Sequence, residues 1–306
     1  MMEQGVVIKS TGSIITVLTE KGTFSCTIKG NFRIKNIDST NPVAVGDKVK
    51  IEIKDGETNL ISELLDRKNY IVRKSVNLSK QVQVLASNID KAYVIATPVF
   101  PKTSTGFIDR FLSTAEAYSI PAAIIFNKSD LFDPAIEEYV DELKLIYAKI
   151  GYEVFCVSAL QPKTIIQLQE ELKNKINLFL GHSGVGKSTL INALIPGLNL
   201  KTAPISTQHL KGTHTTTFAE MHPLPQGGYI IDTPGIREFG ITDFNKQEVT
   251  HYFPEFFRLL GNCKYNNCMH VNESDCAVIK ALKNGEVSES RYRNYLSILN
   301  NEDFHK

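Results

Sequence analysis

Gly181, His182, Ser183, Gly184, Val185, Gly186, Lys187, Ser188 and Thr189 run consecutively as G-H-S-G-V-G-K-S-T. The pattern is G-x-x-x-x-G-K-[ST], and its chemistry is phosphate capture. It follows the apolar run Ile176 to Leu180 and precedes Leu190, Ile191 and Leu194 at helical spacing, so a strand, a loop and a helix are expected in that order. Glycines let the backbone curl so that successive N–H groups face phosphate oxygens, and the helix N-terminus adds a favourable dipole. Lys187 would then reach the β- and γ-phosphates, and the Ser188 hydroxyl would ligate Mg²⁺. A glycine-rich turn matching by accident would not carry these flanks.

Two further motifs select the base. Asn127, Lys128, Ser129 and Asp130 spell N-K-S-D behind the apolar stretch Ile124-Ile125-Phe126, at a strand end where open α/β sheets contact ligands. A carboxylate at Asp130 can accept both N–H donors on the Watson–Crick edge of guanine. Adenine offers no such pair, and an unsatisfied pair in a dry pocket discriminates by roughly 10⁴-fold. Asn127 can serve the other edge of the base, and the Lys128 stem can cover one face. Ser158, Ala159 and Leu160, also at a strand end, offer backbone N–H groups for the guanine O6.

Behind the phosphate loop, Gly228 to Gly235 reads as a strand ending in D-T-P-G. Asp232 is placed to hold Mg²⁺, and the Gly235 N–H to meet the γ-phosphate. Between these pieces lies Lys211-Gly212-Thr213-His214-Thr215-Thr216-Thr217, a polar loop with hydroxyls for the metal. Either Thr215 or Thr216 is the expected ligand. An ordinary GTPase runs phosphate loop, switch threonine, D-x-x-G, N-K-x-D, S-A-x. Here N-K-S-D and S-A-L come first, so the chain reads as circularly permuted, which keeps sheet and site because domain ends lie close in space. The segment after Gly235 then leads into the C-terminal region, which hydrolysis could reposition.

Cys263, Cys268, His270 and Cys276 spell C-x4-C-x-H-x5-C. Three thiolates and an imidazole suit a closed tetrahedral Zn²⁺ site, one per chain. Flanking stretches (Phe253 to Leu260, Val278 to Leu282, Tyr292 to Leu299) look helical and short of core, so metal would supply much of their stability.

The elements that must position these groups are legible in outline. The chain has 306 residues, room for two or three domains, and a net charge of +1 excludes a globally basic nucleic-acid binder. The Met-Met-Glu-Gln-Gly start lacks the blocks of a signal peptide and no apolar run approaches membrane-spanning length, so no membrane and a cytoplasmic location are expected. Five cysteines, three of them crowded together, suit a reducing compartment and a metal better than disulfides. Residues 1–65 alternate as about five short strands, the pattern of a small Greek-key barrel, either an oligonucleotide-binding (OB) fold or a generic one. Residues 66–81 are a junction with Arg67, Lys68, Arg73, Lys74 and Lys80, either a solvated face or a grip on RNA backbone. Residues 82–240 alternate apolar runs with helices, as a mostly parallel sheet covered on both faces requires. One helix is fully signposted: Asp133 caps it, Pro134 opens it, Gly151 ends it, and Ile136, Val140, Leu143, Ile146 or Tyr147, and Ile150 mark its buried face. Residues 241–306 form the helical zinc-binding end.

Barrel, permuted GTPase and C-x4-C-x-H-x5-C tail together resemble the bacterial ribosome small-subunit-dependent GTPase A family, over nearly the whole chain. The resemblance implies an OB-fold N-terminal domain, GTP hydrolysis stimulated by the small ribosomal subunit, and a role in late subunit maturation with contacts to its rRNA. That family's switch loop is usually led by arginine. Lys211 stands there instead, keeping the charge without bidentate geometry. Ile236 follows D-T-P-G where Ras-like enzymes carry the glutamine that orients water. His214 is the expected catalytic residue in its place, the alternative being that it only packs the loop, and unaided turnover should be slow. The competing readings are a phosphate-loop ATPase or kinase, an RNA-binding assembly protein with a structural nucleotide, and a permuted GTPase of the large subunit. Nothing in the sequence suggests an obligate interface, so a monomer is expected.

Overall fold

In the computed structural model, residues 1–28, 42–54, 58–74, 82–202, 219–233 and 245–300 are described. Strands β1 (Met2–Ser10), β2 (Ile15–Thr19), β3 (Gly22–Ile28), β4 (Lys48–Glu52) and β5 (Asn59–Leu64) close into a barrel in the order β1-β2-β3-β5-β4, with β1 pairing back onto β4. The β3–β5 pairing is parallel and the others antiparallel, which is the Greek-key connectivity expected of an OB fold. Alternation sends Val7, Ile15, Val17, Val49, Ile51 and Ile61 into one small core. A hairpin of β6 (Tyr70–Lys74) and β7 (Val82–Ser87) follows. At this junction the Arg67 guanidinium forks onto the buried Asp47 carboxylate at 2.7 and 2.6 Å, so its charge is met within the protein. Lys68 pairs with Asp90. The Arg73 and Lys74 side chains and Lys80 lie outside the described residues.

The central sheet runs β10 (Glu153–Cys156), β9 (Ala122–Phe126), β8 (Lys91–Ala96), β11 (Ile176–Gly181), β13 (Tyr229–Asp232) and β12 (Glu220–Pro223), parallel except for β12 at its edge. Because both faces are covered, the middles of its strands are apolar runs, with polar residues such as Lys91, Asn177 and Asp232 near the strand ends. Helices α1 (Thr105–Ala117) and α2 (Pro134–Ile150) pack Phe111, Leu112, Val140 and Leu143 on one face. Helices α3 (Pro162–Leu172) and α4 (Lys187–Leu194) pack Leu168, Leu172, Leu190 and Ile191 on the other. The barrel joins this sheet where β1 pairs with β12, reinforced by a Lys9–Glu220 ion pair at 3.2 Å.

The tail holds a 3-10 stretch (Lys246–Tyr252) and helices α5 (Pro254–Phe257), α6 (Ala277–Lys283) and α7 (Glu289–Leu299). It is richer in core than expected. Phe253, Phe256 and Tyr295 are fully buried and pack ring against ring, with centroids 4.9–5.3 Å apart. These aromatics come from short, separate segments, so no window shows them as one face.

Candidate functional site: a phosphate loop with a base-reading turn, and a thiol–imidazole cluster

The strand–loop–helix frame stands as expected: β11 ends at Gly181 and α4 begins at Lys187. Gly184 and Gly186 hold φ of 87° and 86°, left-handed backbone that other residues rarely adopt. A Cβ on Gly186 would come within 2.6 Å of Asn127 Nδ2. Ser183, Gly184 and Thr189 are exposed, Val185 is buried among the apolar residues beneath, and Ser188 is half-buried. Lys187 is buried, and its ammonium donates to Asp232 Oδ1 and, at 2.6 Å, to the Thr233 carbonyl. The lysine expected at phosphate and the carboxylate expected at Mg²⁺ are therefore brought together.

The base-reading motifs are tied into that loop. Asn127 is buried, and its Nδ2 donates to the Val185 carbonyl at 2.8 Å, which leaves its second N–H for a base edge. Its Oδ1 is buried without a hydrogen-bond partner among the described residues, an unmet acceptor of the kind found at binding sites. Lys128 takes φ 64° and stretches over to the Gly184 carbonyl at 2.8 Å and the Phe100 carbonyl at 2.6 Å. Burial pushes its ammonium below the usual lysine range, with Asp130 pulling the other way. The Ser129 N–H donates to the Val157 carbonyl at 3.0 Å and its hydroxyl to Gln161 at 3.3 Å, which joins N-K-S-D to the S-A-L turn. Asp130 closes this cluster, exposed at its rim.

In the S-A-L turn the Ser158 N–H is engaged by Thr164 Oγ1 at 3.1 Å, and the Leu160 N–H by Ser158 Oγ at 3.0 Å. Of the three, only the Ala159 N–H has no hydrogen-bond partner among the described residues. His214, Thr215, Thr216 and Gly235 lie outside the described residues. Sequence reading missed the wall on the far side of the loop: Pro101 packs 3.4 Å from where a Gly184 Cβ would sit, and Phe107 packs against His182. No motif announces either residue.

Cys263, Cys268, His270 and Cys276 converge, with their ligand atoms all within 4.8 Å of one another. Tetrahedral Zn–S bonds of about 2.3 Å put sulfur atoms about 3.8 Å apart, so the donor set fits. The short C-x-H step works because His270 sits at φ 57°, turning its Nδ1 to within 3.2 Å of Cys276 Sγ and 3.7 Å of Cys263 Sγ. Nδ1 is thus the ring nitrogen that faces the sulfurs, while Nε2 is buried with no hydrogen-bond partner among the described residues. Burial lowers the imidazole pKa, keeping it in the neutral ligand form, with Glu273 opposing. Burial also pushes the Cys268 thiol up to about 12, so a thiolate there needs a cation. Backbone donors already face the sulfurs: Ala277 N–H to Cys263 at 3.4 Å and Ile279 N–H to Cys276 at 3.5 Å. The Glu273 carboxylate gathers the Met269, Val271 and Asn272 N–H groups at 2.7–3.1 Å and so shapes the loop that carries His270.

A family profile described as RsgA GTPase matches residues 64–242, and one described as RsgA N-terminal domain matches residues 4–61. The chain is 55% identical to the small ribosomal subunit biogenesis GTPase RsgA of Bacteroides fragilis, over 98% of this chain and 97% of that one. It is 51% identical to the protein of the same name from Flavobacterium psychrophilum, over 98% and 93%. The crystal structure of YjeQ from Thermotoga maritima superposes with a TM-score of 0.80 at 34% identity over all of both chains. That of YloQ, described as a circularly permuted GTPase, gives 0.74 at 27% identity, over 100% of this chain and 96% of that one.

Proposed function

The chain belongs to the RsgA GTPase family, and from that premise we propose that it hydrolyses GTP as a late maturation factor of the small ribosomal subunit. It binds the subunit's rRNA, and docking accelerates its turnover. The observation that carries the nucleotide assignment is the direct tie between the two motifs: Asn127 and Lys128 each donate, at 2.8 Å, to phosphate-loop carbonyls. A base-reading turn bonded to a phosphate loop spans the two ends of one nucleotide. Relatives named for small-subunit biogenesis support the choice of partner.

In this reading residues 181–189 hold the phosphates, Asp130 reads guanine, and the Ala159 N–H meets O6. Ser188, Asp232 and Thr215 or Thr216 would hold Mg²⁺, which would supply positive charge against the negative charge developing on the phosphates. His214 orients the attacking water once a partner fixes its loop, and the preorganised loop stabilises the transition state. Cys263, Cys268, His270 and Cys276 hold one structural Zn²⁺. The chain works as a monomer in the cytoplasm, with units at residues 1–65, 66–81, 82–240 and 241–306. No described helix is long and apolar enough to cross a membrane.

The test is GTP hydrolysis by purified protein, alone and with separated ribosomal subunits, with ATP as competitor. Slow turnover, selective stimulation by small subunits and indifference to ATP are expected. Equal stimulation by large subunits, or none by either, would refute the assignment. A His214→Ala protein that binds GTP normally should lose stimulation; full stimulation would remove His214 from catalysis.

A further inference from the structure

One turn of α1 touches the phosphate loop on one side and the tail on the other. The Phe107 ring packs on the His182 imidazole, with centroids 3.6 Å apart and planes at 35°. Two residues on, Asp109 is fully buried and accepts from Arg291 Nη1 at 2.7 Å, Asn294 Nδ2 at 2.6 Å and Tyr147 Oη at 2.9 Å. Asn294 also reaches the Thr105 hydroxyl at 3.2 Å. Arg291, itself 1% exposed, forks onto Glu255 at 2.7 and 3.0 Å and covers the Phe253 ring at 4.5 Å. Residues two apart on a helix project about 200° apart, so α1 acts as a rigid spacer between the two contacts.

A buried ion cluster is a poor source of stability, because desolvation offsets its attraction. What it does well is fix position: charged, forked hydrogen bonds hold over a narrow range of geometry, unlike an apolar contact. We propose that Asp109 and Arg291 are positioning residues for the phosphate loop. The tail, by holding Asp109, sets α1, and α1 sets the ring on which His182 rests. A partner that shifts the tail would then loosen the nucleotide through α1, a route independent of the chain that follows Thr233. The proposal rests on the nucleotide reading above.

A double-mutant cycle on full-length, zinc-loaded protein tests it, read as the Kd and release rate of a fluorescent GDP analogue. Asn294→Ala in the tail and Phe107→Leu beside the loop should each weaken binding, by about three- to tenfold. The double variant should be no weaker than the worse single one, because both cut the same chain of contacts. Should Asn294→Ala not fold, Glu255→Gln, which loosens the Arg291 fork while keeping its shape, takes its place. Unchanged GDP release in the tail variant, or effects that multiply, would overturn the proposal while leaving the GTPase reading intact. Wild-type protein that binds no GDP would overturn both.

Discussion

Lys187 and Asp232 form one buried ion pair between the phosphate loop and the strand that follows it in the sheet, 9% and 2% exposed at their side chains. Removing one partner of such a pair strands the other charge, at about 3–5 kcal/mol. Lys187→Ala should therefore lower the unfolding temperature as well as abolish nucleotide binding. A Lys187→Met/Asp232→Leu double variant should recover most of the stability and none of the binding. Nucleotide-free Lys187→Ala protein that melts with the wild type would show that the pair carries no stability.

Asp130 closes a turn whose other members are bonded to neighbouring motifs through Asn127, Lys128 and Ser129. Its carboxylate is an acceptor for two donors, whereas an amide presents one acceptor and one donor. Asp130→Asn should lose GTP affinity by on the order of 10²–10⁴-fold, since mismatched polar groups discriminate strongly. It should gain affinity for xanthosine triphosphate, whose ring carries a carbonyl where guanine carries an amine. Competition binding with both nucleotides checks this; retained GTP preference would place Asp130 away from the base.

How far the sequence could be read depended on whether a feature was local. The phosphate loop was legible because its backbone demands glycine at 184 and 186, where φ is positive. Helix α2 was legible at both ends: Asp133 accepts from the Ile136 N–H at 2.9 Å and Gly151 exits at φ 117°. At its one ambiguous position Tyr147, not Ile146, is the buried member. What stayed hidden was long-range. Arg67 read only as part of a basic junction and Arg291 drew no reading, yet the side chain of each is buried against acids, Asp47 in one case and Asp109 and Glu255 in the other. Strand β12 is too short to show alternation, and the tail's aromatic core is assembled from segments no single window contains.

The cluster of Cys263, Cys268, His270 and Cys276 predicts one zinc per chain and a tail that depends on it. Cys268→Ser, or chelation, should remove the metal and release the segment around α6 and α7, because structural zinc binding is coupled to folding. Atomic emission would count the metal, and hydrogen exchange would follow the amides from 263 to 299. Unchanged protection after complete metal removal would show that the aromatic core alone holds the tail.

Glu171 predicts the protein's response to acid. It lies at the end of the sheet away from the nucleotide, accepting from Lys91 at 2.9 Å, Lys175 at 2.8 Å and the Tyr93 hydroxyl at 3.1 Å. Burial alone would raise its pKa, but hydrogen bonds from Lys175 and Lys91 outweigh it and hold the group down to about 2, against a usual 4.5. A carboxyl depressed on folding adds stability that is fully present above its unfolded pKa and fades as pH falls through the folded one. Its contribution should thus be complete above about pH 4.5 and gone near pH 2. In Glu171→Gln, Lys91 keeps Glu153 at 2.6 Å, so the variant should fold. Its unfolding temperature should lie below that of the wild type at neutral pH, with the gap closing between pH 4.5 and 2. A gap that stays constant across that range would mean that the shape of the side chain, not its charge, is what α3 needs.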